Sequence, residues 1–103
     1  MLRAVPYRIE YTPEAFEHLA ELTARQCATV LDVVPKHLAH EPTVPTRNRA
    51  RMRPNPIGHC RLRIGDLRVY YDVIDSPERI VVVKAVGIKV RDRVFVGREE
   101  LKL

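Results

Sequence analysis

The chain has 103 residues, 46% of them hydrophobic and 30% charged, with a formal net charge of +5. That length gives one domain, residues 1–103, able to bury roughly two thirds of its unfolded surface, and it excludes a second catalytic domain. The composition excludes an intrinsically disordered chain and, with no long apolar run, a membrane-spanning helix, while the positive excess favours polyanions or an acidic protein partner.

Met1 to Tyr7 carries no apolar stretch after its single arginine, so no secretory signal is expected and a cytoplasmic location follows. Tyr7-Arg8-Ile9-Glu10-Tyr11 alternates as a strand. Thr12-Pro13-Glu14 then supplies an N-cap, a first-turn proline and a first-turn acid, which predicts a helix from Pro13. Ala15, Phe16, Leu19, Ala20 and Leu22 form its apolar stripe. Thr23-Ala24-Arg25-Gln26 has the form of a capping box, and Cys27, Val30, Leu31, Val34 and Leu38 line one side of a second helix that Pro35 should kink or end. The pair reads as a helical hairpin laid over a sheet. Cys27 and Cys60 fall on apolar faces and are expected as core thiols without a disulfide. His37 and His40 have a helical spacing but no third ligand, so no metal is expected.

From His40 to Ile57 four prolines alternate with Arg47, Arg49, Arg51 and Arg53, without hydrophobic periodicity. This basic extended connection is either a solvated surface or a rim that tracks phosphates. Next, Cys60 to Ile74 reads as two strands joined by a Gly65-Asp66 turn, and so short a turn fixes the register. Cys60, Leu62, Ile64, Leu67, Val69, Tyr71 and Val73 then share an apolar face. His59, Arg61, Arg63, Arg68, Tyr70 and Asp72 share the other. Arg63 is placed directly opposite Arg68, a repulsion of roughly a few tenths of a kcal/mol to 1 kcal/mol that an anion between them would relieve. That anion is most simply a phosphate of a nucleic acid. A turn at Asp75-Ser76-Pro77-Glu78, a central strand from Ile80 to Gly87 and a charged tail containing Val94-Phe95-Val96 complete the chain.

The order of these elements, with Arg-Leu-Arg-Ile-Gly-Asp-Leu-Arg-Val-Tyr-Tyr-Asp-Val-Ile-Asp and then Val-Val-Val-Lys-Ala-Val-Gly-Ile-Lys-Val-Arg-Asp-Arg-Val-Phe, resembles the RelE/ParE toxin superfamily over nearly the whole chain. The resemblance implies an α+β fold, an N-terminal strand and a helical hairpin packed on a twisted antiparallel sheet. It also implies the toxin of a type II toxin–antitoxin pair, with a small acidic antitoxin as partner. RelE-like members cut messenger RNA in the ribosomal A site, whereas ParE-like members poison DNA gyrase, and fold alone does not separate them. The basic positions of the RelE-like pattern are occupied here by Arg61, Arg63, Arg68 and Lys89, which favours a ribosome-dependent messenger-RNA endonuclease acting by 2′-hydroxyl attack. A gyrase inhibitor, or a homologue kept chiefly for antitoxin binding, is the alternative. Arg47, Arg49, Arg51, Arg53, Arg91 and Phe95 are grouped as substrate-binding positions, and no cofactor is implied. Phe95 departs from the pattern, since related nucleases often carry a tyrosine there and phenylalanine cannot transfer a proton. Tyr70 and His59, both on the basic face, are candidates for the displaced proton-transfer group.

Overall fold

The structure is a computed structural model and describes residues 5–102. The stretch from Met1 to Ala4, where a leader was sought, lies outside the described residues. The first strand, β1 (Arg8–Tyr11), ends at Thr12, whose hydroxyl accepts the Ala15 N–H at 3.1 Å and starts α1 (Pro13–Ala20) with Pro13 in its first turn. Thr23 and Gln26 form the reciprocal capping box, at 3.1 and 2.9 Å, that starts α2 (Ala24–Leu38). Pro35 does not end α2. It lies on the exposed side of the last turn, and the helix runs on to Leu38 with the Ala39 N–H donating to the Pro35 carbonyl at 3.0 Å. So near the C-terminus, a carbonyl deprived of its donor can turn to water.

Among the described residues the sheet has seven strands. Its path runs β2 (Arg49–Arg51), β3 (Cys60–Ile64), β4 (Leu67–Ile74), β5 (Ile80–Val90), β6 (Arg93–Val96) and β7 (Glu99–Leu101), each antiparallel to the next, with β1 parallel to the first part of β5. Three features exceed the sequence expectation. The proline-rich connection contributes an edge strand, β2; β5 continues past Gly87 to Val90; and the charged tail folds as the β6–β7 hairpin. The β3–β4 register is the one the short turn demands, with Gly65 at φ +58° and Arg63 opposite Arg68.

Both helices cover one face. Ala15 and Leu19 of α1 and Val30, Val34 and Leu38 of α2 bury against Cys60, Leu62, Leu67, Val69, Tyr71, Val81, Val83 and Val86. Cys27 packs at the margin of this core, and both cysteines are free. Tyr71 is fully buried and donates its hydroxyl to the Pro42 carbonyl at 2.6 Å, which ties the chain leaving α2 to the sheet. Gly87 allows β6 to approach, because a Cβ there would lie 2.6 Å from the Phe95 carbonyl oxygen.

β1 and β6 occupy the same edge of β5 one behind the other, pairing with Ile80–Val83 and Gly87–Val90. Between them, Thr12 donates its N–H to Val83 O at 3.0 Å and its hydroxyl to Lys84 O at 3.3 Å, while His18 Nδ1 accepts the Val86 N–H at 3.2 Å. A side chain thus supplies the acceptor that neither strand can. His18→Ala leaves that N–H unpaired and should cost about 1–3 kcal/mol, read as a lower urea midpoint. His18→Asn, which restores an acceptor, should recover part of the loss.

Candidate nucleic-acid interface

The face opposite the helices is built in successive rows. Arg61 stands opposite Tyr70, which stands opposite Ala85; Arg63 stands opposite Arg68, which stands opposite Gly87. His59 and Asp72 precede the first row, and Lys89, opposite Val94, follows the second. Ala85 and Gly87 present almost no side chain, so Tyr70 and Arg68 can lie down over β5. They are 2% and 8% exposed. From His59 to the level of Lys89 the polar track covers three two-residue steps, roughly 20 Å.

Asp66 in the turn offsets part of the charge on Arg68, but no carboxylate among the described residues comes within ion-pair distance of Arg61, Arg63 or Arg68. Arg68 donates to the Gly65 and Leu67 carbonyls at 2.8 and 3.0 Å, Arg63 to the Arg47 carbonyl at 2.6 Å, and Arg61 Nε has no partner. Burial, then the neighbouring Arg61 and Arg63 charges, pushes the Arg68 guanidinium below its ordinary value. Burial likewise raises the Tyr70 phenol, against the opposing pull of Arg61 and Arg68. At neutral pH Tyr70 is therefore a hydrogen-bond donor, not a base.

Beside these rows lies a groove of ≈ 560 Å³, lined by Arg51, Arg53, Arg61 and Lys102 and walled by Pro54 to Pro56. Asn55 holds this wall in shape: its Oδ1 accepts the N–H groups of Ile57 and Gly58 at 2.8 and 3.1 Å, and its Nδ2 donates to the Arg53 and Gly58 carbonyls at 2.6 and 3.1 Å. Gly58 packs on the backbone of β4, where a Cβ would come within 3.1 Å of Tyr71 N. Lys102 escaped sequence reasoning because only the β6–β7 hairpin brings it here.

At the other end of the track, Asp72 Oδ1 accepts both the backbone N–H and the ring Nδ1–H of His59, each at 2.7 Å, and Lys84 Nζ lies 3.5 Å from Oδ2. A bulge between Tyr70 and Tyr71, where Ala85 and Val83 are the successive partners, makes Lys84 the extra residue and brings it to Asp72. Burial alone would raise the Asp72 carboxyl, but the His59 hydrogen bonds and the His59 and Lys84 charges outweigh it and hold the group below the usual carboxylate range.

Other predicted site residues lie elsewhere. Arg49 pairs with Leu62 on the helix side and donates to the His37 and His40 carbonyls at 2.7 and 3.2 Å, fastening β2 to the end of α2. Arg47 is exposed, its carbonyl engaged by Arg63. Arg91, at φ +59°, is exposed in the β5–β6 turn. Phe95 pairs with Ile88 and shares its phase, on the side that Leu67 and Val90 also take, away from Arg61 and Arg68. Among the described residues no group of three His, Cys, Asp or Glu side chains could hold a metal ion, and no helix is long and apolar enough to cross a membrane.

Fold and site together define a small α+β protein with two helices on one sheet face and an arginine track on the other. No protein-family profile matches the chain, and no curated protein does. Among solved structures it is similar to a chain of the toxin–antitoxin complex RelBE2 from Mycobacterium tuberculosis, at 28% identity and a TM-score of 0.72, covering 84% of this chain and 95% of that one. This likeness supports the resemblance to the RelE/ParE toxin superfamily and matches the α+β fold expected from it.

Two outcomes follow from the geometry. Phe95→Tyr should leave any activity of the arginine face unchanged, because the added hydroxyl points to the other side; a gain in single-turnover RNA cleavage would show that β6 is placed differently. Asp72 titrates lower folded than unfolded, so it stabilises the fold above its unfolded value of about 3.9, and this contribution disappears as pH falls through the folded value. Asp72→Asn should therefore lower the urea midpoint at pH 7, with the gap to wild type closing below about pH 4.

Proposed function

We propose that this protein is the toxin of a type II toxin–antitoxin pair and that it cuts messenger RNA on the ribosome. The observation that carries the reading is the Arg61, Arg63 and Arg68 cluster, held against mutual repulsion with no ion pair among the described residues. Cleavage by internal attack needs the 2′-hydroxyl deprotonated, the charge developing on phosphorus neutralised and the departing 5′-oxygen protonated. Guanidinium groups meet the second need, and their planar forks suit the phosphate oxygens. Arg61, Arg63 and Arg68 hold the scissile phosphate, Lys89 assists beyond them, and Arg51, Arg53 and Lys102 guide the strand through the adjoining groove. The neighbour's assembly as a toxin–antitoxin complex supports a cognate antitoxin here, and the +5 charge calls for a small acidic one.

The test is inducible expression with mapping of RNA 5′ ends, alongside a readout of DNA damage. Translation arrest with cleavage in codons at the A site supports the nuclease. DNA damage without cleavage would indicate a gyrase inhibitor instead. Arg68→Met should reduce cleavage about a hundredfold or more, the usual effect of losing an aligned charge stabiliser. Its urea midpoint should be equal or higher, since an unpaired cation has been removed from a buried position. Undiminished growth arrest in a well-expressed Arg68→Met variant would overturn the assignment of the site.

A further inference from the structure

We propose that His59, oriented by Asp72, is the general base that the arginine face lacks. The inference rests on the nuclease reading above and adds the group that starts the reaction. Asp72 Oδ1 receives the Nδ1–H of His59 at 2.7 Å, so the neutral ring carries its proton on Nδ1 and leaves the Nε2 lone pair free. The same oxygen holds the His59 backbone N–H at 2.7 Å, which fixes where the ring begins as well as how it is turned. The His59 side chain is 80% exposed, whereas that of Asp72 is 24% exposed. The imidazole is therefore presented to a substrate by a carboxylate that is itself largely withdrawn.

Position agrees with this chemistry. His59 immediately precedes β3 and stands two residues before Arg61, about 7 Å of chain at most, close to the span of one nucleotide and suitable for a base at a ribose whose phosphate lies on the arginines. Asn55 and Gly58 fix the chain immediately before His59. The competing candidates fail on geometry: Tyr70 is 2% exposed, and Phe95 faces the other side and has no proton to transfer.

In the step, His59 Nε2 takes the 2′-hydroxyl proton as the 2′-oxygen forms its bond to phosphorus. The bond from phosphorus to the 5′-oxygen breaks, and the departing oxygen takes a proton from water. The products are a 2′,3′-cyclic phosphate and a 5′-hydroxyl, and the imidazolium returns its proton to solvent. Asp72 is a positioning residue: it holds the tautomer and the orientation of the ring. The charged and titratable groups around the ring are Asp72 on β4, Lys84 on β5 through its contact with Asp72, and Arg61 on β3. Arg51 of β2 pairs with Cys60 and lines the groove beside Arg61 together with Arg53, and Met52, which follows β2, donates its N–H to the His59 carbonyl at 2.8 Å.

Single-turnover cleavage on programmed ribosomes, followed across pH, tests this with wild type, His59→Gln and Asp72→Asn. Wild type should release a 2′,3′-cyclic phosphate at a rate that rises with pH and then levels. His59→Gln should lose about a hundredfold or more in rate, as general-base removal typically does, with ribosome binding within about threefold of wild type and no acidic limb. Asp72→Asn should lower the plateau and change the position of the limb, which a merely structural tie between β3 and β4 would not do. Should His59→Gln fail to fold, the Asp72→Asn profile decides. Wild-type cleavage retained by His59→Gln, or an unmoved limb in Asp72→Asn, would overturn the base while leaving the arginine site standing. No RNA cleavage by wild type would overturn the nuclease reading and this inference with it.

Discussion

The two-residue turn at Gly65-Asp66 is the constraint on which the rest depends. A longer loop would tolerate a shifted pairing, and a shift of one residue would exchange the two faces of β3 and β4. With the turn closed, Leu62, Val69 and Tyr71 must go under the helices, and Arg61, Arg63, Arg68 and Tyr70 must go to the opposite side. Core and site are thus one decision. The apolar residues supply the free energy that keeps the arginines together, and no arginine can leave the site face without drawing a core residue out of register.

β5 carries the second constraint. It is central over its whole length, but two separate strands share one of its edges, and the break between them falls beside the bulge at Lys84. Thr12 and His18 close that break from the α1 side, while the bulge turns Lys84 toward Asp72 on the site side. An irregularity that would weaken a plain ladder is here satisfied on one edge and used on the other face. The helix-capping threonine thereby takes part in setting the geometry of the polar track, although it lies on the opposite side of the strand.

What the sequence disclosed divides along physical lines. Short-range rules were sufficient wherever the determinant was local: the Thr12 cap, the Thr23–Gln26 box, the β3–β4 register and the separation of the two faces. They were insufficient where pairing partners lie far apart in the chain. β2 has no hydrophobic period because it is a short edge strand held by β3 and by Arg49, so a proline-rich stretch concealed it. The same edge position sends Arg49 to the end of α2 while Arg51 and Arg53 line the groove, a division that alternating arginines in a sequence do not announce. Phe95 matches the family's pattern by spacing, yet the strand phase of β6 directs it away from the arginines. Asp72 could be placed on the polar face by counting, but its bond to His59 depends on how the chain enters β3, which Asn55 and Gly58 decide.

The arginine cluster also explains why the two ends of the polar track differ in chemistry. At the Arg63–Arg68 end positive charge predominates, since Asp66 in the turn only partly offsets Arg61 and Arg63, and burial of Arg68 leaves a cation without an ion pair. At the His59 end a carboxylate is present, and its charge is already engaged by His59 and Lys84. An acid set among the arginines would neutralise them and spoil an anion site; set two residues away, it can orient an imidazole without competing for the phosphate. The pleat supplies that separation. One side chain in every two faces the site, so β3 can place Arg61 and Arg63 in line, with His59 at its entrance, while Leu62 between the arginines anchors the strand in the core.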